Sequence, residues 1–317
     1  MANLTAWKSD NRKFVGKAFD YGYANRMNKL LPIVGEVSSK NVDYELTGSG
    51  GYGEMQPYDG TNLNKANQKR GFKTIITPEE FSLSATISRK QSQIDKMGET
   101  RKVGMRLGDT AGITVYLHTL RMFGNALNPR FCGGDGKPFA AMDHPVASMR
   151  DEGRRYVPDP ESGVYSNLIN KDLSVAALTE ARTLSGRFVT PDGLPFLSEM
   201  DTLLVSPELE PTAKKMFGEN SRLMPLRNPD DASNAANPVS DMSYIVVGGG
   251  KDGFSAKQWA VADRRLMKML VQIVYINRPE VLESQLDNPL LEKFTGYADF
   301  GVGWGDSRQI IFSSGNQ

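Results

Sequence analysis

Histidine and cysteine, the side chains that most often act as bases, nucleophiles and metal ligands, are scarce in this sequence. His118 and His144 are its two histidines, and Cys132 is its single cysteine. Because a zinc site needs three or four ligands at a recognisable spacing, we predict no metal site. One cysteine cannot form an intrachain disulfide, so we interpret Cys132 as a partly buried thiol in a protein made in a reducing compartment.

The positions of the histidines do not favour catalysis either. Asp143 and His144 are neighbours, and adjacent side chains in an extended segment point to opposite sides. The two cannot by themselves form the hydrogen-bonded acid and base of a hydrolase. His118 lies among apolar residues with helical spacing, where a packed histidine is the expected role. We therefore predict no catalytic residue, and a soluble hydrolase with an unrecognised site is the least favoured alternative.

Two segments resemble ligand-binding loops but miss part of each motif. Residues 246–257, VVGGGKDGFSAK, lack the four-residue gap and the Gly-Lys-Ser/Thr ending of a phosphate-binding loop. Residues 228–234, NPDDASN, lack the glycine and the final glutamate of a calcium loop. We predict a turn between strands at the first segment, a solvated loop at the second, and no bound cofactor.

The balance of charge argues against a nucleic-acid or membrane protein. Lysine and arginine total 38 and aspartate and glutamate total 37, which leaves a formal net charge of +1. The chain as a whole therefore has no field that would hold a polyanion. A basic group in the first quarter of the chain indicates a solvated loop or a patch that pairs with an acidic protein neighbour, and contact with a protein is favoured over contact with nucleic acid: Lys65, Lys69, Arg70 and Lys73. Since no stretch of about 18 apolar residues and no cleavable leader occurs, we expect no membrane contact.

The elements that must position these residues begin with an aromatic N-terminal segment. Residues 1–40 include Trp7 and Phe14 but show no sustained helical or alternating period. We predict an arm that buries its aromatic side chains only against another region of the chain or against a neighbouring subunit.

Two strand-like runs flank a polar, glycine-rich segment between residues 42 and 90. The second run alternates apolar residues with serine and threonine at period two, as a strand with one apolar face does, at Phe81, Leu83, Ala85 and Ile87. The segment between the runs contains Tyr52 and Tyr58 and far exceeds the roughly two to five residues of a compact hairpin. A long two-stranded projection is not stable alone in water, so we expect it to lie on a partner surface.

Residues 89–127 predict one long helix or two nearly continuous ones. Gly104, Gly108 and Gly112 recur every four residues, which places them on one stripe of a helix. Each glycine costs about 1 kcal/mol of helix propensity relative to alanine, so the stripe needs a compensating contact. We predict that another backbone approaches closely along it.

The rest of the chain mixes helices and strands without regular alternation. Helices are predicted at residues 172–188 and 206–218, loops at 150–165 and 219–240, and strands at 202–206, 242–249, 259–265, 266–277 and 297–314. In the second helix we expect Ser206 as the N-cap, Pro207 at the first position and Gly218 at the end. The irregular order indicates an α+β fold and not a doubly wound sheet.

The order of these elements resembles that of the major capsid proteins of tailed bacteriophages with the Hong Kong 97-type fold. Three stretches are similar to corresponding stretches of that family: DGKPFAAMDHP (135–145), TLLVSPELEPTAKKMF (202–217) and YADFGVGWGDSRQIIFSSG (297–315), which includes Trp304 and Arg308. None of the three is a catalytic signature. The resemblance rests on their order and spans nearly the whole chain.

The resemblance implies an α+β, Hong Kong 97-type capsid fold with four parts. They are an N-terminal arm (1–41), an extended β-hairpin loop (42–87), a peripheral domain with a long spine helix (88–164 and 286–317) and an axial domain (165–285). The resemblance also implies a structural protein of the virion, not an enzyme. Copies would form hexamers and pentamers of an icosahedral shell that encloses the phage genome.

Expected partners follow from the same resemblance. Besides copies of itself they are a separate scaffolding protein, a portal, decoration proteins, and packaged DNA held by weak, non-specific contact. The expected assembly contacts lie in the arm and the loop: Trp7, Phe14, Tyr52, Tyr58, Lys65, Lys69 and Arg70. Synthesis is expected in the host cytoplasm. An encapsulin-like nanocompartment shell protein is the alternative with the same kind of fold.

Overall fold

The computed structural model describes residues 2–27, 31–48, 54–55, 57–58, 71–88, 90, 98–146, 148–152, 155–158, 163–217, 238–248, 250–285 and 291–315. The chain divides into two compact units. Unit 1 comprises Met1–Tyr44, Ile76–Thr119 and Gln272–Val302, and unit 2 comprises Glu45–Ile75, Leu120–Val271 and Gly303–Gln317. The expected peripheral domain is divided between them, because its residues 120–164 and 303–317 belong to unit 2.

Helices and strands are interspersed along the described residues. The helices are α1 (Ala2–Met27), α2 (Gly98–Gly124), α3 (Val175–Ser185), α4 (Glu210–Phe217) and α5 (Arg264–Leu270). The strands are β1 (Gly35–Ser38), β2 (Tyr44–Thr47), β3 (Lys73–Ile76), β4 (Glu79–Ser88), β5 (His144–Pro145), β6 (Ser148–Glu152), β7 (Arg155–Pro158), β8 (Val164–Tyr165), β9 (Leu168–Ile169), β10 (Thr202–Val205), β11 (Ser243–Val246), β12 (Trp259–Ala262), β13 (Val271–Gln285), β14 (Leu291–Trp304) and β15 (Ile310–Ser313). None of the described helices is both long and apolar enough to cross a bilayer.

Unit 1 consists of a four-stranded sheet covered by α1 and α2. The sheet order is β1-β13-β14-β4, with β1 parallel to β13 and β4 antiparallel to β14. Ile87 of β4 and Phe294 of β14 are buried on the face that meets the helices. Val15 and Phe19 of α1 and Leu107 of α2 complete this core. The apolar face predicted for β4 is therefore the face that builds the unit.

The helix α1 corrects the expectation that residues 1–40 lack a helical period. Val15, Ala18, Phe19 and Gly22 lie at spacings of three and four and are buried on one face. This stripe covers only about two turns, and the polar residues on either side of it obscure the period in the sequence. Packing of the stripe, more than propensity, stabilises such a helix. Of the two predicted covers for the arm, its own chain is the one that buries Phe19.

The glycine stripe of α2 receives the backbone of α1, as predicted. A β-carbon at Gly104 would lie 2.6 Å from the carbonyl oxygen of Val15. One at Gly108 would overlap the carbonyl group of Phe19. Because glycine has no side chain, the two helices approach closely enough for this contact to offset the low helix propensity.

Unit 2 is built on a five-stranded sheet with the order β11-β10-β12-β15-β9. β10 is parallel to β11 and antiparallel to β12, and β15 is antiparallel to β12 and parallel to β9. All residues of the three inner strands β10, β12 and β15 are buried. Leu178 and Ala181 of α3 pack in one core with Trp259 and Val261 of β12. The helix predicted at 172–188 thus covers the sheet.

In unit 2 the helix start predicted at Ser206 and Pro207 is confirmed in position, and α3 begins with a cap that was not predicted. The side chain of Ser174 caps α3 by accepting a hydrogen bond from the backbone N–H of Ala177 at 3.1 Å. Ser206 is the N-cap residue and Pro207 begins the helical segment, as predicted, but the hydroxyl of Ser206 makes no capping bond and donates to the carbonyl oxygen of Ala256 at 2.9 Å. A 3₁₀ turn, Pro207–Leu209, then leads into α4. The predicted end of this helix, Gly218, lies outside the described residues.

Two predicted elements differ from the structure. Within residues 150–165, predicted as a loop, β6 and β7 pair as antiparallel strands. Within residues 266–277, predicted as a strand, the strand begins only at Val271, because α5 precedes it. Asp263 caps α5 by accepting a hydrogen bond from the N–H of Leu266 at 2.9 Å. A capping carboxylate and a short buried helical face therefore outweigh the apolar run.

The stem of the predicted extended loop is the pair of strands β2 and β3. Just beyond them, the N–H of Gly48 donates to the carbonyl oxygen of Phe72 at 2.7 Å. Lys73 and Glu45 form an ion pair on the same ladder, with nitrogen and oxygen 2.5 Å apart. The residues between the strands lie outside the description, apart from 54–55 and 57–58.

Candidate functional site

The structure places Phe14 and Tyr58, two of the predicted assembly residues, at the surface. Phe14 of α1 is 50% exposed and Tyr58 is 63% exposed. Trp7 belongs to α1, but its side chain lies outside the description. The remaining predicted contacts fall outside the described residues altogether: Tyr52, Lys65, Lys69 and Arg70. Of the predicted assembly contacts, the structure therefore describes the side chains of Phe14 and Tyr58 alone.

A groove of about 500 Å³ runs between α1 and α2 on the surface of unit 1. Phe14, Tyr21 and Met105 give it apolar walls, and Lys17 and Arg101 add positive charge. Tyr21, which is 59% exposed, was not among the predicted assembly contacts. Its seven-residue spacing from Phe14 is the signal that would have indicated it, once this segment was assigned to a helix. We call this surface the helical groove.

A smaller groove of about 260 Å³ lies between α2 and the strands β4 and β14. Its lining includes Phe81, Leu83 and Phe300, and Leu83 is 51% exposed. The ring of His118 packs edge-on against Phe81 and Phe300, with ring centroids 4.7 and 5.5 Å apart. The packed role predicted for His118 is confirmed.

Two carboxylates lie opposite each other on the other face of the same sheet. Glu80 of β4 and Asp299 of β14 are cross-strand partners. The hydroxyl of Tyr297 donates to Glu80 at 3.1 Å. Burial, and then the charge of Glu80, raise the pKa of Asp299 above its usual value. Like charges in directly opposed positions destabilise a sheet, so this pair weakens unit 1 at neutral pH.

A buried polar cluster in unit 2 joins residues that spacing in the sequence did not connect. Nδ1 of His144 lies 2.6 Å from a carboxylate oxygen of Asp135, and Nε2 lies 3.1 Å from the amide oxygen of Asn167. His144 is fully buried, whereas Asp143 is exposed and pairs with Lys137. Asp143 and His144 thus make separate contacts, as predicted. The acid that bonds His144 is Asp135, nine positions earlier in the chain.

Both ring nitrogens of His144 are occupied in this cluster. The amide nitrogen of Asn167 donates to the carbonyl oxygens of Phe139 and Ser307 at 2.8 and 3.1 Å. The amide oxygen of Asn167 must therefore be the acceptor toward His144, and Nε2 carries the proton. The cluster fastens the segments around these residues together. It leaves no free imidazole nitrogen to activate a nucleophile.

Cys132 does not complete a reactive site. Its side chain is exposed, which corrects the interpretation as a partly buried thiol. The thiol donates to the carbonyl oxygen of Pro129 at 3.1 Å. Among the described residues, no group of three or more histidine, cysteine, aspartate and glutamate side chains could hold a metal ion.

The closing segment of the chain packs into unit 2 through Trp304 and Arg308. The ring of Trp304 stacks on Phe139, with centroids 4.7 Å apart. Nε of Arg308 donates to the buried carboxylate of Asp306 at 3.0 Å. Burial would raise the pKa of Asp306, but the charge and hydrogen bonds of Arg308 outweigh it and hold this pKa below its usual value. Both residues quoted for the resemblance are therefore structural.

Comparison with known proteins finds likeness in structure only. No protein-family model and no curated protein sequence matches the chain. The capsid of Ralstonia phage GP4 matches with a TM-score of 0.51 and 13% identity, over 92% of this chain and 89% of that one. The procapsid of bacteriophage JBD30 matches at 0.50 and 12% over 98% and 75%. A virus-like particle from Pyrococcus furiosus matches at 0.50 and 8% over 94% and 97%.

The chain has the fold of phage capsid proteins. This capsid fold confirms, at that level, the fold that the resemblance implied. Its conspicuous surface features are exposed apolar side chains, among them Phe14, Tyr21, Leu83, Leu197 and Leu282. Such side chains mark interaction surfaces where they cluster, as they do along the helical groove.

Proposed function

We propose that this chain is a major capsid protein of a tailed phage, whose copies form the hexamers and pentamers of an icosahedral shell around the genome. The capsid fold carries the proposal, since it covers 98% of this chain in the comparison with the JBD30 procapsid. A fold alone does not determine function, so the surfaces must support the assignment as well. They do so through open apolar grooves and through a buried histidine cluster that is closed to catalysis.

In this proposal the chain has the four parts of the Hong Kong 97-type arrangement. α1 belongs to the N-terminal arm (1–41), and β2 and β3 form the stem of the extended loop (42–87). α2 is the spine helix of the peripheral domain (88–164 and 286–317), and the five-stranded sheet of unit 2 supplies most of the axial domain (165–285). The compact units favour moving residues 120–164 and 303–317 to the axial side of that division and residues 272–285 to the peripheral side.

We further propose that the extended loop lies across an adjacent subunit. The loop leaves a stem of only four residues on each strand. A two-stranded projection of that kind needs a surface to rest on. Tyr58, the one predicted loop contact that the structure describes, is 63% exposed in the isolated chain. The basic residues Lys65, Lys69 and Arg70 would then meet acidic side chains of the neighbour.

The proposed partners are those of a shell subunit. A separate scaffolding protein would direct assembly in the host cytoplasm, a portal would occupy one vertex, and decoration proteins would bind outside. Packaged DNA would be enclosed with weak, non-specific contacts, because the net charge of +1 gives no strong attraction to a polyanion. The protein would reside in the virion and would have no enzymatic activity.

Deleting the loop tests this proposal. Residues 49–71 are replaced by an Asn-Gly turn, which suits a two-residue connection between antiparallel strands. Gly48 and Phe72 already share a hydrogen bond of 2.7 Å, so the deletion should leave the stem intact. We expect the full chain to form shells under electron microscopy and the deleted chain to remain as small oligomers with an unchanged circular dichroism spectrum.

Two results would contradict the proposal at different levels. Normal shells from the deleted chain would remove the role assigned to the loop and leave the capsid assignment standing. A full chain that stays monomeric at high concentration would overturn the capsid assignment itself. Shells that enclose a protein cargo and never DNA in the native host would favour the encapsulin-like alternative.

A further inference from the structure

The buried histidine of unit 2, His144, has an oxygen atom facing each of its two ring nitrogens. Nδ1 lies 2.6 Å from Oδ2 of Asp135, and Nε2 lies 3.1 Å from Oδ1 of Asn167. These contacts fix the orientation of the ring, because a flipped ring would place carbon atoms against both oxygens. A neutral imidazole has one N–H and can donate to only one of the two oxygens.

The hydrogen bonds of Asn167 determine what Nε2 must supply. The amide nitrogen of Asn167 donates to the carbonyl oxygens of Phe139 and Ser307. Its amide oxygen accepts the backbone N–H of Ala141 at 2.9 Å. A flipped amide would set oxygen against both carbonyl groups and nitrogen against the N–H, so all three contacts support the same orientation. The atom that faces Nε2 is therefore an acceptor, and Nε2 carries a hydrogen.

The contact between Nδ1 and Asp135 needs a hydrogen of its own. Oδ1 of Asp135 accepts the backbone N–H of Lys137 at 3.0 Å, and Oδ2 faces Nδ1. Without a proton between them, two lone pairs would oppose each other across 2.6 Å at a fully buried ring. We place this proton on nitrogen, because the reference pKa of histidine is about 6.5 and that of aspartate is about 3.9.

The other groups around the ring leave Asp135 in need of a positive partner. Tyr165 of β8 stacks on His144, with ring centroids 5.2 Å apart. Burial, and then the charge of Asp306, raise the pKa of Tyr165 well above its usual value, so this side chain stays neutral. Arg308, whose guanidinium lies 5.9 Å from the centre of the Tyr165 ring, pairs with Asp306. In the part of the chain that the structure describes, no lysine or arginine forms an ion pair with Asp135.

We propose that His144 is held as an imidazolium cation paired with the carboxylate of Asp135, and that this pair is a pH-sensitive clasp of unit 2. With both nitrogens protonated, the ring joins the turn at residues 133–137 to β5 and to Asn167, which in turn holds the closing segment at Ser307. Transfer of the Nδ1 proton to hydroxide forms water and leaves two lone pairs facing each other, which opens the contact with Asp135. The clasp lies within one subunit and does not depend on the proposed capsid function.

The proton held by the clasp gives the pH dependence of stability its sign. An unfolded chain releases a histidine proton above about pH 6.5, whereas the clasp retains it. The stability that the clasp contributes is therefore fully present below about pH 6.5 and is lost as the pH rises. One retained proton changes the equilibrium constant of unfolding by up to about ten-fold for each pH unit.

Removal of the Asp135 charge tests the clasp through this pH dependence. In Asp135→Asn the new amide can donate to a neutral imidazole, so no extra proton is needed. From pH 7 to pH 8, urea unfolding should show the unfolding constant of the original chain rising about four- to ten-fold more than that of Asp135→Asn. Asp143→Asn is the matched control, because Asp143 is an exposed carboxylate of the same segment that pairs with Lys137. It should follow the original chain, and equal pH dependence in all three chains would overturn the proposal.

Nuclear magnetic resonance of the ring nitrogens tests the proton directly. The chain has only two histidines, so ¹⁵N-histidine labelling gives two sets of ring signals, which His118→Phe assigns. Solid-state spectra of the sedimented full chain serve for single subunits and for shells alike. At about pH 7.5 both nitrogens of His144 should carry a hydrogen, and Nδ1 should lose it in Asp135→Asn. A bare Nδ1 in the original chain at that pH means that the proposal is wrong, even where a substituted chain does not fold.

Discussion

The two units of this chain treat their apolar residues differently. In unit 2 every residue of the inner strands β10, β12 and β15 is buried, and a tryptophan, Trp259, lies at zero exposure in the core. In unit 1 a comparable sheet and helix pair leave Phe14, Tyr21 and Leu83 open along two grooves. Unit 2 thus has inner strands that are buried throughout, although Val164 and Leu197 are exposed elsewhere in it, whereas unit 1 has exposed apolar side chains gathered along its two grooves.

The largest effect on stability is expected from a cavity-forming substitution in the core of unit 2. Trp259→Ala should destabilise the chain by about 3–5 kcal/mol, because it leaves a cavity and removes the indole hydrogen bond to the carbonyl oxygen of Lys171. Leu83→Ala, at an exposed apolar position of unit 1, should change the stability by less than about 0.5 kcal/mol. Urea unfolding of both variants measures the contrast. Similar losses in the two would show that unit 1 depends on its exposed residues for folding.

Substitution of a glycine where α1 meets α2 tests how far the stability of unit 1 depends on this contact. Gly108→Ala should cost about 1–3 kcal/mol, because its β-carbon would overlap the backbone of Phe19 and push the helices apart. Gly16→Ala, on α1, meets no atom within 4 Å and should stabilise the helix by up to about 1 kcal/mol. Thermal unfolding followed by circular dichroism gives both values. A harmless Gly108→Ala would mean that α1 does not rest on this stripe.

The smallest expected effect concerns the carboxylates of β4 and β14. The folded state raises the pKa of Asp299, so at neutral pH this group opposes folding and takes up a proton in the folded state first as the pH falls. Asp299→Asn should therefore stabilise the chain at pH 7 by about 0.2–1 kcal/mol, with a gain that shrinks toward pH 4. Urea unfolding at both pH values measures it.

A second aspartate gives the control of opposite sign. A hydrogen bond from Arg182 lowers the pKa of Asp241, so its carboxylate supports folding above its unfolded pKa. Asp241→Asn should weaken the chain slightly at pH 7, and this loss should fade as the pH falls through the lowered pKa. If both variants shift stability in the same direction, burial and the Glu80 charge do not set the behaviour of Asp299.

Elements that depend on a sequence pattern only a few residues long could be predicted from the sequence. The apolar run of β10 and the alternation in β4 each depend on neighbours along the chain. The glycine stripe of α2 indicated a close backbone but could not say which one, because the contact with α1 depends on tertiary packing. α1 itself was not predicted for the same reason, since its short apolar face can be recognised as buried only once α2 is placed against it.

The buried histidine cluster and the two grooves could not be predicted from the sequence. His144 was correctly separated from Asp143, yet its partners Asp135 and Asn167 lie 9 and 23 positions away. Turns and sheet order, which are set by the whole fold, bring them together. Phe14 was predicted as a contact from its type alone, whereas Tyr21 required knowledge that the segment is helical. Surfaces made by two elements appear only when both have been placed.

The position of β15 has a consequence for the timing of synthesis. Residues 310–313 form an interior strand, with β12 on one side and β9 on the other. A nascent chain that has not yet released this strand from the ribosome leaves an open slot in the middle of the sheet. Unit 2 can therefore complete its five-stranded sheet only after translation has passed this point.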